Sequence, residues 1–523
     1  MRVNTILVSG CFVWDKITQR EYPNGPIEKR NYTERVVSDE PGGTAGNVAC
    51  LLAHYGWEAY PQAQFDLSRD GYKLKSGLKA WGCDVRFVEN MPAGKITKYF
   101  EERKLNADGS PKKTVYSRGG WGSQFGAHKF LRAKDEVPEF LEKLDFVPNV
   151  YFFDVPEAGP AALGTALKER GSLVYYEPEL YGNKENVKKK VMARIGACDI
   201  MKFSRQSLAD TSFCDPYKDK LFIQTRDKEG VAFRLRGGNW ITVPAVDNQN
   251  VVDTIGAGDF TTSAFLKALG DRDALSMDRL TEKIVREALE YAMEVAAKSV
   301  SYEGAKGMIW AEPGFKLGDG TLDPIPYKGK ILYLHGSASC GNSHTPMMLA
   351  NELTEYKIVA PDIPHDPIEA VQYLRDLCEK EKPDLVVGSS MGGYYAHLMF
   401  GWKRVCVNPA LHMSTDVDFK VGKHQYRPAV DRVDGSKYYI FTQEMHDHAE
   451  ELEARQMEGI TEFDRDNCWG VFGTHDTEIK DYSRKEFCAQ YRHWVEYEGE
   501  HRLKSRNVKE VVAPLIRKLI ANK

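Results

Sequence analysis

Two short stretches of this chain set glycines around a side chain that could react. The first is Val252-Asp253-Thr254-Ile255-Gly256-Ala257-Gly258-Asp259-Phe260, followed by an apolar helical run from Thr261 to Leu269. Glycines let the backbone fold so tightly that successive N–H groups point one way, and a helix starting behind them adds partial positive charge. Such a cradle suits an anionic oxygen. Asp259 at its rim could accept a hydroxyl proton while the N–H groups hold the negative charge of a transferring phosphoryl group. The same residues also read as a close-packed helix entry with a capping aspartate. The second stretch, Gly388-Ser389-Ser390-Met391-Gly392-Gly393, lies between an apolar strand and a helix and presents a serine on a tight turn.

Asp253-Thr254-x-Gly256-Ala257-Gly258-Asp259 resembles the second signature of the ribokinase-like (PfkB) carbohydrate kinases. Gly42-Gly43-Thr44-Ala45-Gly46-Asn47-Val48-Ala49, upstream and in the right order, is similar to the first. The resemblance spans residues 1–312. It implies an α/β fold, a ribokinase-like parallel sheet sandwich with a small β lid, that uses ATP and Mg2+ on a sugar or nucleoside. It also implies roles for single residues. Asp15 would sit at the end of the first strand and bind sugar hydroxyls, or else be a plain turn residue there. Gly42 and Gly43 would let the backbone approach the ligand, and Asn47, opening a helix from Val48 to Tyr55, would offer a donor and an acceptor.

Gly256, Ala257 and Gly258 would form the anion hole. Thr225 and Gly230 match the nucleotide-binding strand end, where Asp227 replaces the first glycine of the family pattern. Ser204 and Ser207 stand where the family usually carries an Asn-x-x-Glu stretch that organises magnesium and phosphate, so no metal ligand is assigned. The helix from Glu282 to Ser301, with Gly304-Ala305 behind it, resembles the segment that packs on adenine.

The elements needed to position these residues are legible. Short apolar segments at Val150 to Asp154, Leu173 to Glu177, Ile200 to Phe203 and Leu221 to Thr225 alternate with helical ones, which predicts parallel strands with ligands at their carboxyl ends. Lys95 to Lys104 and Lys112 to Ser117, joined by the hairpin signal Asn106-Ala107-Asp108-Gly109, would form a lid with the strands near 17–38. A lid excludes water from the nucleotide. In the resembled family it is often a dimer surface, hence an expected homodimer.

Residues 313–327, rich in glycine and proline, read as a linker to a second domain at 328–523. There Ile331-Leu332-Tyr333-Leu334-His335-Gly336-Ser337 is a strand ending in His-Gly, and Gly388-x-Ser390-x-Gly392 matches the nucleophile elbow of α/β-hydrolases. Chain order then assigns Ser390 as nucleophile, Asp476 as acid and His501 as base, with Asp481 as the alternative acid. Backbone N–H groups of Ser337 and Met391 would form the oxyanion hole. With Asn408-Pro409-Ala410, these segments make the domain resemble the YqiA-like esterase family, a compact α/β-hydrolase, implying hydrolysis of a small ester or thioester.

At 523 residues the chain exceeds one core, and its net charge of −4 supplies no footprint for nucleic acid or a membrane surface. Ten cysteines without a Cys-x-x-Cys pair argue for the cytoplasm and against a zinc or redox site. Thr5-Ile6-Leu7-Val8 is too short for a signal peptide core. His446-Asp447-His448 reads as a solvated helix face rather than a metal pair. The rival to a bifunctional enzyme is a sugar-binding sensor or scaffold, its kinase half impaired through Ser204, Ser207 and Asp227, with only the hydrolase active.

Overall fold

The computed structural model describes residues 3–21, 33–66, 69–91, 98–105, 111–116, 136–178, 184–324, 327–416, 420–426, 432–479 and 481–521. Two compact units emerge, one of Met1–Asp66 with Asp70–Asp323 and one containing Pro324–Lys523. The first half of the expected linker is not free chain. Gly318 N–H donates to Ala80 O at 2.8 Å, Ser76 Oγ donates to Gly320 O at 2.8 Å, and the Phe315 ring lies 5.2 Å from that of Trp81. An apolar anchor and satisfied backbone groups dock this segment despite its glycines.

The first unit is built on a nine-stranded sheet. Its order is Ile241–Val243, Val231–Leu235, Leu221–Thr225, Ile200–Ser204, Leu173–Tyr176, Val150–Phe153, Thr5–Ser9, Glu58–Asp66 and Val88–Met91. All neighbours from Leu221–Thr225 onward are parallel, and the first two strands join antiparallel. Successive residues feed opposite cores: Ile6, Val8, Phe152 and Tyr175 face one, Leu7, Tyr151, Phe153 and Tyr176 the other. That is the period of two of a strand, with both faces covered, which is why the central strands Val150–Phe153 and Leu173–Tyr176 carry large apolar and aromatic residues at every position. Helices Thr44–His54, Ala257–Asp271 and Glu282–Ser299 cover the first face.

A four-stranded sheet ordered Thr33–Gly42, Val13–Glu21, Lys98–Leu105, Pro111–Tyr116 forms the small second layer. The Asn106–Gly109 turn lies outside the described residues. This α/β sandwich with a small extra sheet is the architecture that the resemblance implied. Two local expectations change. Asp15 does not end the first strand, which stops at Ser9; it lies in the second and pairs with Glu40. The helix bearing Asn47 begins at Thr44, because Gly43 at φ 77° turns the chain early and caps it.

The second unit carries a six-stranded, all-parallel sheet ordered Tyr356–Val359, Gly329–Leu334, Leu385–Ser389, Arg404–Val407, Cys468–Gly473, His493–Tyr497, and a hairpin of Gly422–Gln425 with Tyr438–Phe441. The strand order reverses between Gly329–Leu334 and Leu385–Ser389, so the chain leaves these neighbours in opposite directions and opens a crevice at their carboxyl ends. No helix among the described residues is long and apolar enough to cross a membrane.

Behind this sheet a fully buried Arg404 donates to Asp464 Oδ1 at 2.8 Å and to His397 O at 2.7 Å. Burial, helped by Arg404, pushes His397 down to about 3, and burial pushes His335 down to about 4. Both rings are neutral in the fold, whereas the unfolded chain binds their protons below an ordinary value of 6.5. Depressed folded values mean that this stability is present above pH 6.5 and lost as pH falls towards 4 and then 3. Calorimetry across that range is expected to show the transition of the second unit moving steadily to lower temperature as the buffer is acidified.

Two candidate active sites

Asp259 lies in the first turn of helix Ala257–Asp271, whose N-cap Gly256 is left-handed at φ 80°, ψ −7°. A Cβ there would come within 2.4 Å of Ala305 O, so both conformation and space require glycine. Asp253 holds the turn in place, accepting from Ile255 N–H at 3.0 Å and Gly304 N–H at 2.8 Å. Ala257 N–H is taken by Thr254 O at 3.3 Å; the start of a helix otherwise leaves N–H groups without intrahelical partners, which with the helix dipole favour an anion.

Side chains from distant segments meet at this helix start. Asn47 Nδ2 donates to Asp259 Oδ2 at 2.7 Å, and Lys306 Nζ donates to Asn47 Oδ1 at 2.7 Å. These contacts orient the amide, its nitrogen towards the carboxylate. Asp15 packs its carboxylate against Gly42, where a Cβ would fall 1.7 Å from Oδ2. Gly43 O accepts the Asn47 N–H at 2.8 Å. The structure thus gathers Asp15, Gly42, Gly43, Asn47 and Asp259.

Lys306 was not anticipated, although a lysine in the small-residue turn behind Gly304-Ala305 was the available signal. It is fully buried, donates to Pro41 O at 2.7 Å and lies 3.5 Å from Glu40. Burial would lower its pKa, but Glu40 and the more distant Cys50, Asp15 and Asp259 hold it above the ordinary lysine value.

The nucleotide side is mixed. Thr225 ends its strand, and Gly230, at φ 95°, has no room for a Cβ, which would meet Val243 O at 2.3 Å. Asp227 adopts φ 50°, a left-handed conformation that a glycine would take at no steric cost. Ser204 Oγ donates to Ser207 Oγ at 2.9 Å, and neither supplies a carboxylate. The neighbouring Glu177 is committed to Lys202 and Thr262, both at 2.6 Å. The 204–207 stretch therefore does not fit the magnesium-organising role of the family pattern. Lys202 instead braces the cradle, donating to Gly258 O at 2.7 Å.

In the second unit Ser390 caps helix Met391–His397 at φ 58°, ψ −123°. Added Cβ atoms would fall 1.9 Å from Gly392 O at Gly388 and 2.1 Å from Leu334 O at Gly392. Small flanking residues are what permit this strained turn. A Cβ on Gly336 would lie 3.9 Å from Ser390 Oγ, so the serine faces the loop after His335. Neutral His335 accepts Ile363 N–H at Nε2, 3.1 Å, and its Nδ1 lies 2.9 Å from Gly336 O. That ring pins the loop carrying Ser337, which lines one cleft with Met391.

His501 Nδ1 lies 2.8 Å from Asp476 Oδ2, while Asp476 Oδ1 also accepts N–H bonds from Glu478 and Ile479 at 2.8 and 3.1 Å. Burial would raise the Asp476 pKa, but these donors and His501 hold it below the ordinary carboxylate value. Asp481, the alternative acid, lies exposed at the start of helix Asp481–Gln490.

In the sequence Asn408 stands out only as the first residue of Asn408-Pro409-Ala410. At φ 42° it donates to His501 O and Tyr497 Oη, both at 2.8 Å, and accepts Gly473 N–H at 2.9 Å. One side chain thereby ties the acid loop to the histidine loop. Asn408→Ala is expected to lower kcat for ester hydrolysis by about 10²-fold with KM nearly unchanged, since it misplaces the base rather than the substrate; steady-state kinetics on a chromogenic ester would check this. His446, Asp447 and Glu450 come within 4.8 Å on an exposed helix face, whereas His448 turns to Asp366 at 2.7 Å.

A glycine cradle at a helix start with a carboxylate at its rim is an arrangement suited to phosphoryl transfer to a small molecule. Residues 11–312, more than half of the chain, match the model of the pfkB family carbohydrate kinases, and the protein belongs to that family. Residues 330–517 match a model described as uncharacterised protein family UPF0227. No curated protein matches the chain. Among solved structures, a fructokinase from Vibrio cholerae O395 in its fructose-, ADP- and calcium-bound form is 17% identical, the match covering 58% of this chain and 94% of that one, with a TM-score of 0.42. Arabidopsis thaliana ribokinase complexed with ribose and ATP is 16% identical over 58% and 95% of the two chains, with a TM-score of 0.41. An ATP-bound fructokinase from Xylella fastidiosa is 17% identical over 58% and 93%, with a TM-score of 0.43.

Proposed function

We propose that the first unit transfers the γ-phosphoryl group of ATP to a hydroxyl of a sugar or nucleoside, and that the second is a serine esterase for a small ester or thioester. The contact that carries the kinase reading is the Asn47–Asp259 hydrogen bond at the mouth of the glycine cradle. Asp15 and Asn47 would hold acceptor hydroxyls, and Asp259 would take the proton of the attacking one as its oxygen bonds to the γ-phosphorus. The bond to the β-phosphate oxygen breaks, leaving ADP, while N–H groups of Ala257 and Gly258 hold the developing charge. Thr225 and Gly230 would flank the nucleotide. The paired serines at 204 and 207 lack the carboxylate donor that would organise magnesium there.

In the second unit the Asp476–His501 pair carries the reading, linked through Asn408 to the strand end that accepts the Ser390 N–H at Val407 O. Ser390 Oγ would attack the carbonyl carbon as His501 Nε2 takes its proton, and N–H groups of Ser337 and Met391 would hold the oxyanion. The alcohol or thiol leaves with the proton from His501, and water then releases the acid by the same steps. Ten cysteines, nine of them buried and none in a Cys-x-x-Cys pair, support a cytoplasmic location. The four-stranded sheet would serve as lid and homodimer surface, which analytical ultracentrifugation would test.

The deciding measurement is ATP consumption by the purified protein across a panel of sugars and nucleosides, with and without magnesium. Turnover with one acceptor upholds the kinase and names its substrate. The Ser204–Ser207 pairing favours a second reading, a sugar sensor or scaffold, and tight sugar binding without ATP turnover would select it.

A further inference from the structure

The cleft in front of the proposed oxyanion donors contains an incompletely compensated cation. Ser337 and Met391 line it, as do His365, Tyr426, Tyr439 and Arg432. Arg432 is 8% exposed, so its guanidinium has largely left water. Nη1 has no hydrogen-bond partner among the described residues, and Nε approaches Asp434 Oδ2 at 3.5 Å without forming a hydrogen bond. Asp434 is 59% exposed on its side chain and its Oδ1 accepts from Ser436 N–H and O–H at 2.9 and 2.7 Å. The nearby Asp362 is likewise engaged, by Gly341 N–H and Val433 N–H at 2.8 and 2.7 Å.

Aromatic rings hold the site in shape. The guanidinium carbon of Arg432 lies 5.3 Å from the centre of the Tyr426 ring, the Tyr426 hydroxyl lies 2.5 Å from His365 Nε2, and His365 stacks on Tyr439 at 4.7 Å and 11°. Burial, with Arg432 adding, pushes His365 down to about 4, so the ring supplies no second positive charge. A buried, under-bonded guanidinium is costly and therefore rare unless a ligand completes it. Its planar fork matches the two oxygens of a carboxylate or phosphate.

We infer that Arg432 is the subsite for an anionic group, a carboxylate or a phosphate, on the ester that Ser390 cleaves. This rests on the esterase reading of the second unit and deepens it, since a neutral ester would leave Nη1 without a partner among the described residues and the charge balanced only by the half-exposed Asp434. The natural substrate is then a half-ester of a dicarboxylic acid or an ester of a phosphorylated alcohol.

The test compares para-nitrophenyl hemisuccinate with para-nitrophenyl acetate on the full chain, and measures inhibition of acetate-ester hydrolysis by succinate and by inorganic phosphate. Expected are a kcat/KM at least about tenfold higher for the hemisuccinate and competitive inhibition by the anion that fits. Stronger inhibition by succinate assigns a carboxylate, stronger inhibition by phosphate a phosphoryl group. Arg432→Gln should bring the ratio of the two kcat/KM values towards one, and Arg432→Lys should retain part of it; should Arg432→Gln not fold, the wild-type comparison decides alone. Equal use of both esters with no inhibition by either anion overturns the subsite. If neither ester is cleaved, the esterase reading fails for these substrates, and calorimetry of succinate and phosphate decides the subsite separately: binding lost in Arg432→Gln upholds it, and no binding, or equal binding, overturns it.

Discussion

Replacing Asp259 with asparagine is expected to lower the rate of phosphoryl transfer about 10³-fold while sugar binding persists. The exchange is nearly isosteric, and an amide at this position can turn its oxygen to accept the Asn47 Nδ2 bond that the carboxylate now accepts at 2.7 Å. Cap, cradle and helix are therefore retained. What disappears is the only change that matters to chemistry, the capacity to take up a proton as the acceptor oxygen bonds to phosphorus. A coupled assay of ADP formation would read the rate, and calorimetry with the acceptor would read binding. Turnover within tenfold of wild type would show that Asp259 is a helix-start residue and that the proton goes elsewhere.

Ser390→Ala should remove ester hydrolysis almost entirely, by about 10⁴-fold or more, because no other group can take the place of the attacking oxygen. The elbow at φ 58° is imposed by Gly388, Gly392 and the backbone bond from Ser390 N–H to Val407 O at 2.9 Å, none of which needs the hydroxyl. The variant should accordingly fold, keep the Asp476–His501 pair and bind substrate. A phosphonate ester that traps nucleophilic serines would report the same position by mass: one adduct on wild type, none on the variant. Retained hydrolysis with retained labelling would move the nucleophile away from the elbow.

Both domains could be read from the chain because their key turns are chemically restrictive. Left-handed or crowded positions such as Gly256, Gly388 and Gly392 admit hardly any other residue, so glycine spacing records backbone geometry directly. The apolar strands were equally plain, since a parallel sheet covered on both faces leaves few polar positions, such as Lys202 and Arg404, to blur the pattern. Asp15 lies on the second strand because residues 10–12 turn the chain without a proline or an Asn-Gly signal, and the start of the linker docks through Phe315 against Trp81 and through backbone bonds of Gly318 and Gly320, partners that no local pattern announces.

By itself the amino-acid sequence determined the two α/β units, the order of their motifs and the side chains proposed to react: Asp259, Ser390, Asp476 and His501. Only the tertiary structure decided which residues touch them. Lys306 reaches Asn47 across 259 positions, Asn408 spans the Gly473 and His501 loops, and Arg432 enters a cleft with Ser337 and Met391. Local sequence encodes backbone conformation, because φ and ψ depend on a residue and its neighbours. A buried lysine, asparagine or arginine acquires its role from partners brought close by the fold, and that information is not carried by the spacing of any one segment.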